Sequence, residues 1–148
     1  VGTQANEVLQ EGYLMALGYV TTLRNVFMNA LTTAIDAGAG AGFLRYYNGT
    51  KPAVGGAATT LIAELTFSDP AAAGAAAGLW TASAITGEAS APNAGTVTWA
   101  RIVDSTGTVV ADCTAGDVGT EDIVLDNAVI AAGQAVDIGS LTVTEGNP

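Results

Sequence analysis

Chemistry at a protein site needs groups that move protons, hold metals or attack electrophiles, and this chain is poor in all three. It has no histidine, the usual general base near neutral pH and the commonest metal ligand. Its basic residues are Arg24, Arg45, Lys51 and Arg101, set against fourteen carboxylates. Asp112, Asp117, Glu121, Asp122 and Asp126 crowd one span, and calcium favours closely spaced carboxylates. Their spacing matches no calcium loop, and strands between them would scatter them. A solvated acidic edge, which also discourages edge-to-edge aggregation, is the expectation. Glu64, Asp69 and Glu88 offer carboxylates for glycoside hydrolysis, yet only Trp80 and Trp99 could stack on a sugar. Trp99, between Thr98 and Ala100, reads as a core or inter-subunit residue, and Trp80, after an Ala/Gly stretch, as partly exposed. Cys113 is the lone cysteine, so it forms no internal disulfide. The neighbouring Asp112 and Asp117 would raise its pKa, and it reads as a small buried hydrophobe. No catalytic residue, metal or cofactor is expected, and an enzyme is the least favoured class.

The bulk properties point toward assembly. A net charge of −10 opposes nucleic acid, which calls for clustered Lys and Arg, and disfavours anionic membrane surfaces. The 148 residues suffice for one domain that hides about two-thirds of its unfolded surface. Much of the 49% hydrophobic content is alanine, with aromatics at 6%, so each buried residue removes little apolar area from water. Nineteen glycines add chain entropy that folding must overcome. A monomer of this composition is marginal and is expected to draw stability from partners. The opening Val1-Gly2-Thr3-Gln4 lacks the basic start of a secretory leader, and Glu7 and Glu11 interrupt any apolar run, so none is expected. The run 14–20 is too short to span a bilayer. Asn48-Gly49-Thr50 matches a glycosylation sequon but reads as a turn.

The elements that would position these residues divide into an arm (1–20) and a helix-plus-sandwich domain (21–148). The arm carries Tyr13, Leu14, Leu17 and Tyr19. Over 22–37, Leu23, Val26, Phe27, Ala30, Leu31, Ala34 and Ile35 recur at the spacing of one helical face. That stripe is expected to lie on a sheet or another subunit, with Arg24, Asn25, Asn29, Thr32, Thr33 and Asp36 largely opposite. Thr21 or Thr22 would cap the start, and Gly38 and Gly40 the end. Strands are expected at 43–47, 59–67, 79–86, 96–103, 108–113, 123–125, 135–138 and 141–144. The turn Asp104-Ser105-Thr106-Gly107 makes a hairpin of 96–103 and 108–113. The fold class is therefore mainly β: a β-sandwich of seven or eight short strands with one N-terminal amphipathic helix. Residues 71–78 (Ala-Ala-Ala-Gly-Ala-Ala-Ala-Gly) and 87–95 read as surface loops. Arg101 shares a strand face with Trp99. If that face is buried it needs a carboxylate partner, within the subunit or across an interface. The candidate inter-subunit contacts are Tyr13, Leu14, Leu17, Tyr19, Trp80, Trp99 and Arg101.

The order of segments resembles a group of small virion proteins of tailed bacteriophages. It is carried by Thr22-Leu23-Arg24-Asn25 opening the helix, then by Leu44-Arg45-Tyr46-Tyr47-Asn48-Gly49-Thr50-Lys51-Pro52. Leu61-Ile62-Ala63-Glu64-Leu65-Thr66-Phe67-Ser68-Asp69-Pro70 and the Ala/Gly stretch follow. The hairpin Thr96-Val97-Thr98-Trp99-Ala100-Arg101-Ile102-Val103-Asp104-Ser105 and the ending Leu141-Thr142-Val143-Thr144 complete it. The resemblance spans about residues 21–144. It implies a capsid decoration (cement) protein, made in the host cytoplasm and seated as a trimer on the outer capsid surface where major capsid subunits meet. Its partners would be the major capsid protein and further copies of itself, with no nucleic acid and no membrane. A tail or head-fibre component that recognises a host glycan is the alternative, favoured if Trp80 is exposed. A cell-surface adhesion module is a third, and would need a secretion signal upstream of Val1.

Overall fold

The computed structural model describes residues 18–145. Of the arm, residues 1–17 therefore lie outside the described residues. The one helix among them, α1, spans Thr21–Ile35. Nine strands follow: β1 Phe43–Tyr47, β2 Leu61–Thr66, β3 Leu79–Thr81, β4 Gly95–Thr96 and β5 Trp99–Val103, then β6 Val109–Gly116, β7 Ile123–Val124, β8 Val129–Ile130 and β9 Thr142–Thr144. The chain is mainly β, as expected, but the strands do not divide into two sheets of similar size. Five form one sheet in the order β2-β1-β5-β6-β7, and the rest form two ribbons, β3 with β9 and β4 with β8. The large sheet is mixed: its pairs are antiparallel except β6 with β7, which run parallel.

The differences from the expected strands have local causes. The segment 96–103 breaks because its ends serve different sheets. Thr96 pairs with Val129 in the β4–β8 ribbon, Val97 N–H donates to Ala128 O, and Thr98 N–H crosses to Tyr47 O before β5 begins. The strand expected at 79–86 ends at Thr81, where pairing with β9 ends, and Ala82 N–H donates to Leu141 O beyond it. Residues 135–138 contribute one bridge, Val136 with Glu88, while Val129–Ile130 forms an unexpected strand. The hairpin of β5 and β6 forms as its turn residues dictate. Asp104 Oδ1 accepts from Thr106 N–H at 2.8 Å and Thr108 N–H at 2.9 Å, and Gly107 takes φ +87°.

Alternation along β1 separates two faces of the sheet. Leu44 and Tyr46 enter a continuous core with Met28, Ile35, Ile62, Leu65, Phe67, Trp80, Val97 and Ile102. Gly42 lets the helix end approach that core, since a Cβ there would lie 2.5 Å from Val103 O and 2.7 Å from the Ile35 side chain. The other face carries a row of charge across four strands: Glu64, Arg45, Arg101 and Asp112 are successive register partners. Arg45 Nε donates to Glu64 Oε2 at 2.6 Å. Arg101 grips Asp112 with two bonds, Nε to Oδ1 at 2.6 Å and Nη2 to Oδ2 at 2.8 Å. The loop 48–60 closes over this row: Gly56 O accepts from Arg101 Nη2 at 2.9 Å, and Gly55 N–H donates to Asp112 Oδ2 at 2.9 Å. Trp99 stacks on Tyr47 with ring centroids 4.3 Å apart, and its Nε1 donates to Asn48 O and Thr59 Oγ1. The layer over this face is thus a pinned loop rather than a second sheet.

Asp112 has 0% of its side chain exposed and Arg101 has 7%, so each depends on the other for its charge to be tolerated. Arg101→Met is expected to lower stability by about 3–5 kcal/mol in urea denaturation, by stranding a buried carboxylate. Arg101→Met/Asp112→Leu should recover most of that loss, and a double variant as unstable as the single one would refute this account of the pair.

The same geometry sets an acid limb. The Arg101 guanidinium holds the Asp112 carboxyl below its ordinary value, and hydrogen bonds from Thr106 and Thr108 do so for Asp104. A carboxylate lowered by folding contributes stability above its unfolded pKa and loses it as pH falls through the folded one. The urea midpoint is therefore expected to fall as pH drops below about 5, and to fall less in Arg101→Met/Asp112→Leu. Equal falls in both proteins would exclude the pair as a source of the limb.

Candidate assembly surface

The helix docks by its polar face. Its partner is the stretch 71–78, whose alanines and glycines offer backbone rather than side chains. The two run antiparallel, joined by successive bonds. Gly78 N–H donates to Asn25 Oδ1 at 2.7 Å, Ala75 N–H to Asn29 Oδ1 at 2.7 Å, and Ala71 N–H to Asp36 Oδ1 at 2.9 Å. Between them, Trp80 Nε1 donates to Thr32 Oγ1 at 2.8 Å. Asn25, Asn29, Thr32 and Asp36 are spaced four, three and four apart, which aligns them on one side of a helix. Arg24 joins this side: its Nη2 donates to Glu145 O at 2.5 Å, and its guanidinium lies where a Cβ on Gly78 would sit. Gly78 has φ +76°, so a side chain there is opposed by conformation and by space. Met28 and Ile35 complete the buried side.

This reverses the orientation expected of the helix over most of its length. Ile35 is buried and Leu31 packs partly against the core, but Leu23, Val26 and Phe27 face outward. Val20 is 72% exposed, Leu23 38%, Val26 57% and Phe27 40%, and Ala30 is exposed beside them. Other large exposed hydrophobics, such as Val54, Val118 and Val129, lie on separate segments, whereas these four share one helical face. The start also differs from expectation: Val20 is the N-cap and makes no side-chain cap, while Gly38 with φ +99° follows the helix end as expected.

Of the candidate contact residues, Tyr13, Leu14 and Leu17 lie outside the described residues. Tyr19 is half-buried, with its ring edge-on to Phe27 at 5.4 Å. The structure places Trp80, Trp99 and Arg101 inside the subunit. Both tryptophans are fully buried, Trp80 against the helix and Trp99 under the loop 48–60, which corrects the expectation of an exposed Trp80. Arg101 has the carboxylate partner its position required, and that partner belongs to its own chain. Leu23, Val26, Phe27 and Ala30 are the stripe residues that lie opposite to the side expected of them. The available signal was the opposite face, which bears amides and hydroxyls at regular spacing where a solvated helix usually bears Lys and Glu.

The acidic groups serve the fold locally. Thr114 N–H and Oγ1 both donate to Asp122 Oδ2 at 2.8 Å, Ala128 N–H donates to Asp117 Oδ2, and Gly119 N–H to Glu121 Oε2. Among the described residues no three His, Cys, Asp or Glu side chains converge on a metal position. Burial, followed by the charges of Asp122 and Asp112, pushes the Cys113 thiol up to about 11. A cleft of about 580 Å³ lies between residues 122–127 and 134–142, with Asp122, Asp126 and Asp137 in its walls and Tyr46 and Val97 among its lining. Among the described residues no helix is long and apolar enough to cross a membrane. Comparisons with protein families, with curated proteins and with solved structures gave no match.

A helix docked by amides inverts the usual mutational rule. Asn25→Leu, apolar and similar in size, is expected to cost about 1–3 kcal/mol by leaving the buried Gly78 N–H unpaired. Val26→Thr, on the outer side, should stay within about 0.5 kcal/mol when the protein is diluted until it is monomeric. Thermal denaturation giving the opposite ranking would mean that the helix packs by its apolar stripe.

Proposed function

We propose that this chain is a structural virion protein of a tailed bacteriophage. It is read as a capsid decoration (cement) protein that assembles as a trimer and binds the outer surface of the major capsid lattice. The observation that carries the reading is the outward apolar side of α1, held in place by an inner side whose Asn25, Asn29, Thr32 and Asp36 side chains are bonded to residues 71–80. Such a helix cannot turn over to hide its stripe without giving up those bonds, so the stripe is left for assembly with further copies, as a trimer requires. The sequence resemblance supplies the context, and the remaining features suit it. The ion-paired sheet gives a rigid body, and the strongly acidic chain stays soluble at high concentration.

The role requires no reaction. A protein that binds the assembled lattice and not its dispersed subunits stabilises it by mass action, by about 2.7 kcal/mol per site at a hundredfold excess over Kd. An exposed Trp80 would favour the host-glycan reading, and that ring is buried.

The purified chain is expected to bind expanded, mature capsids saturably and to raise the temperature at which they lose their DNA. Unexpanded shells should bind less, because the composite site formed by neighbouring capsid subunits is incomplete. Failure to bind expanded capsids in a co-sedimentation assay would overturn the proposal.

A further inference from the structure

We infer that the outward face of α1 is the seam between copies of this chain, and that its occupant is the same face of a second copy. The inference deepens the decoration-protein reading and rests on it for its biological setting. The spacing comes first. Leu23, Val26 and Ala30 follow the three-and-four alternation of a helix–helix seam, and Val20 and Phe27 flank it on one side. The resulting stripe is wider than the two-position seam of a simple coiled-coil pair, and suits a bundle in which each helix meets more than one neighbour.

Charge supplies the independent argument for a like partner. A chain of net charge −10 meets itself favourably only where its carboxylates are absent. From Gly12 to Ile35 there is no carboxylate at all, and the one charge in that span, Arg24, is turned inward onto Gly78 and Glu145. The cleft between residues 122–127 and 134–142 is the contrasting surface, since its walls bring Asp122, Asp126 and Asp137 together and would repel a second copy. A basic partner would have to find an acidic face, and the stripe offers none. An uncharged apolar stripe on an acidic protein therefore selects an uncharged apolar stripe.

The test uses the full chain in the absence of capsids, by analytical ultracentrifugation across the micromolar range. A multiple of the monomer mass is expected, with self-association weakened at least about tenfold by Val26→Asp and by Leu23→Asp. Val118→Asp, at an exposed site far along the chain, should leave the mass unchanged. Fluorescence in a Trp99→Phe background, where Trp80 is the sole tryptophan and its ring is tied to the inner side at Thr32, reports whether each variant still docks its helix. In a Cys113→Ser background, Ala30→Cys should form a disulfide between copies under mild oxidation. A full chain that remains monomeric at high micromolar concentration would overturn the inference, as would Asp variants that keep their mass with native Trp80 fluorescence. Covering of the stripe by residues 1–17 would give that same monomer with no cross-link. Because no capsid is present, such a failure leaves the capsid-binding result to be judged separately.

Discussion

The arrangement of this molecule depends on how α1 is held. Residues 71–78 are alanine and glycine, so they cannot build a socket of large side chains for an apolar helix face. What they present is backbone N–H, and Ala71 and Gly78 are buried. Each buried N–H left without a partner would cost about 1–3 kcal/mol; Asp36 and Asn25 accept from these two, and Asn29 accepts from the more exposed Ala75 N–H between them. Turning the helix over would bury part of Leu23, Val26 and Phe27, at about 1.5–3 kcal/mol for complete burial of each. The gain would be smaller here because these side chains are already partly covered, and it would be set against two orphaned buried donors, the lost Asn29 bond and the Thr32 bond to Trp80. The polar docking wins, and the outward stripe is its consequence.

The charged row on the sheet solves a different problem. A body so short of aromatic and long aliphatic side chains has little apolar area with which to fix the loop 48–60. Arg101 and Asp112 do that work through polar bonds, reaching Gly56 O and Gly55 N–H, while Trp99 anchors the loop at Asn48 and Thr59. Arg45 and Glu64 make a similar contact two strands over, but they stay about a third exposed, where solvent screening leaves a pair little net worth. The buried pair therefore dominates, less as a source of stability than as a constraint that admits one register and one loop position.

How much of this was legible in the sequence follows from which interactions are local. The β5–β6 hairpin was legible because Asp104 and Gly107 determine their turn within four residues. Strand β1 was legible because Phe43–Tyr47 is short, β-rich and bounded by Gly42 and Asn48-Gly49. The carboxylate partner required by Arg101 was foreseeable in kind, and its identity follows from the β5–β6 register. The break at residues 97–98 was not, because Val97 and Thr98 are bonded to Ala128 and Tyr47, some thirty and fifty positions away. The helix was located well and its direction misjudged. Periodicity reports that two faces differ, and the choice between them depended on residues 71–78, whose backbone donors leave no mark in hydropathy. The burial of Trp80 was hidden for the same reason, since its partner Thr32 sits on the face assigned to solvent.

These energies also bear on how firmly copies would hold one another. The four large residues of the stripe are on average about half exposed, so their burial contributes on the order of 1 kcal/mol each. A pair of helices would gain roughly 8 kcal/mol, against an association cost estimated at about 4–15 kcal/mol. One helix pair by itself therefore falls short of the roughly 8 kcal/mol net that micromolar self-association needs, and a third helix, which adds apolar contact on both flanks of the stripe, has to supply the rest. Repulsion between the acidic bodies works the other way, but falls off beyond about 8 Å at physiological salt. Neighbouring sites on a lattice would raise the effective concentration of copies and favour the assembled form without any new contact. If copies meet on a lattice as proposed, a seam that already holds in the micromolar range would be tightened there by the nearness of its halves, and one that dissociates below that range would still let copies exchange before they are fixed.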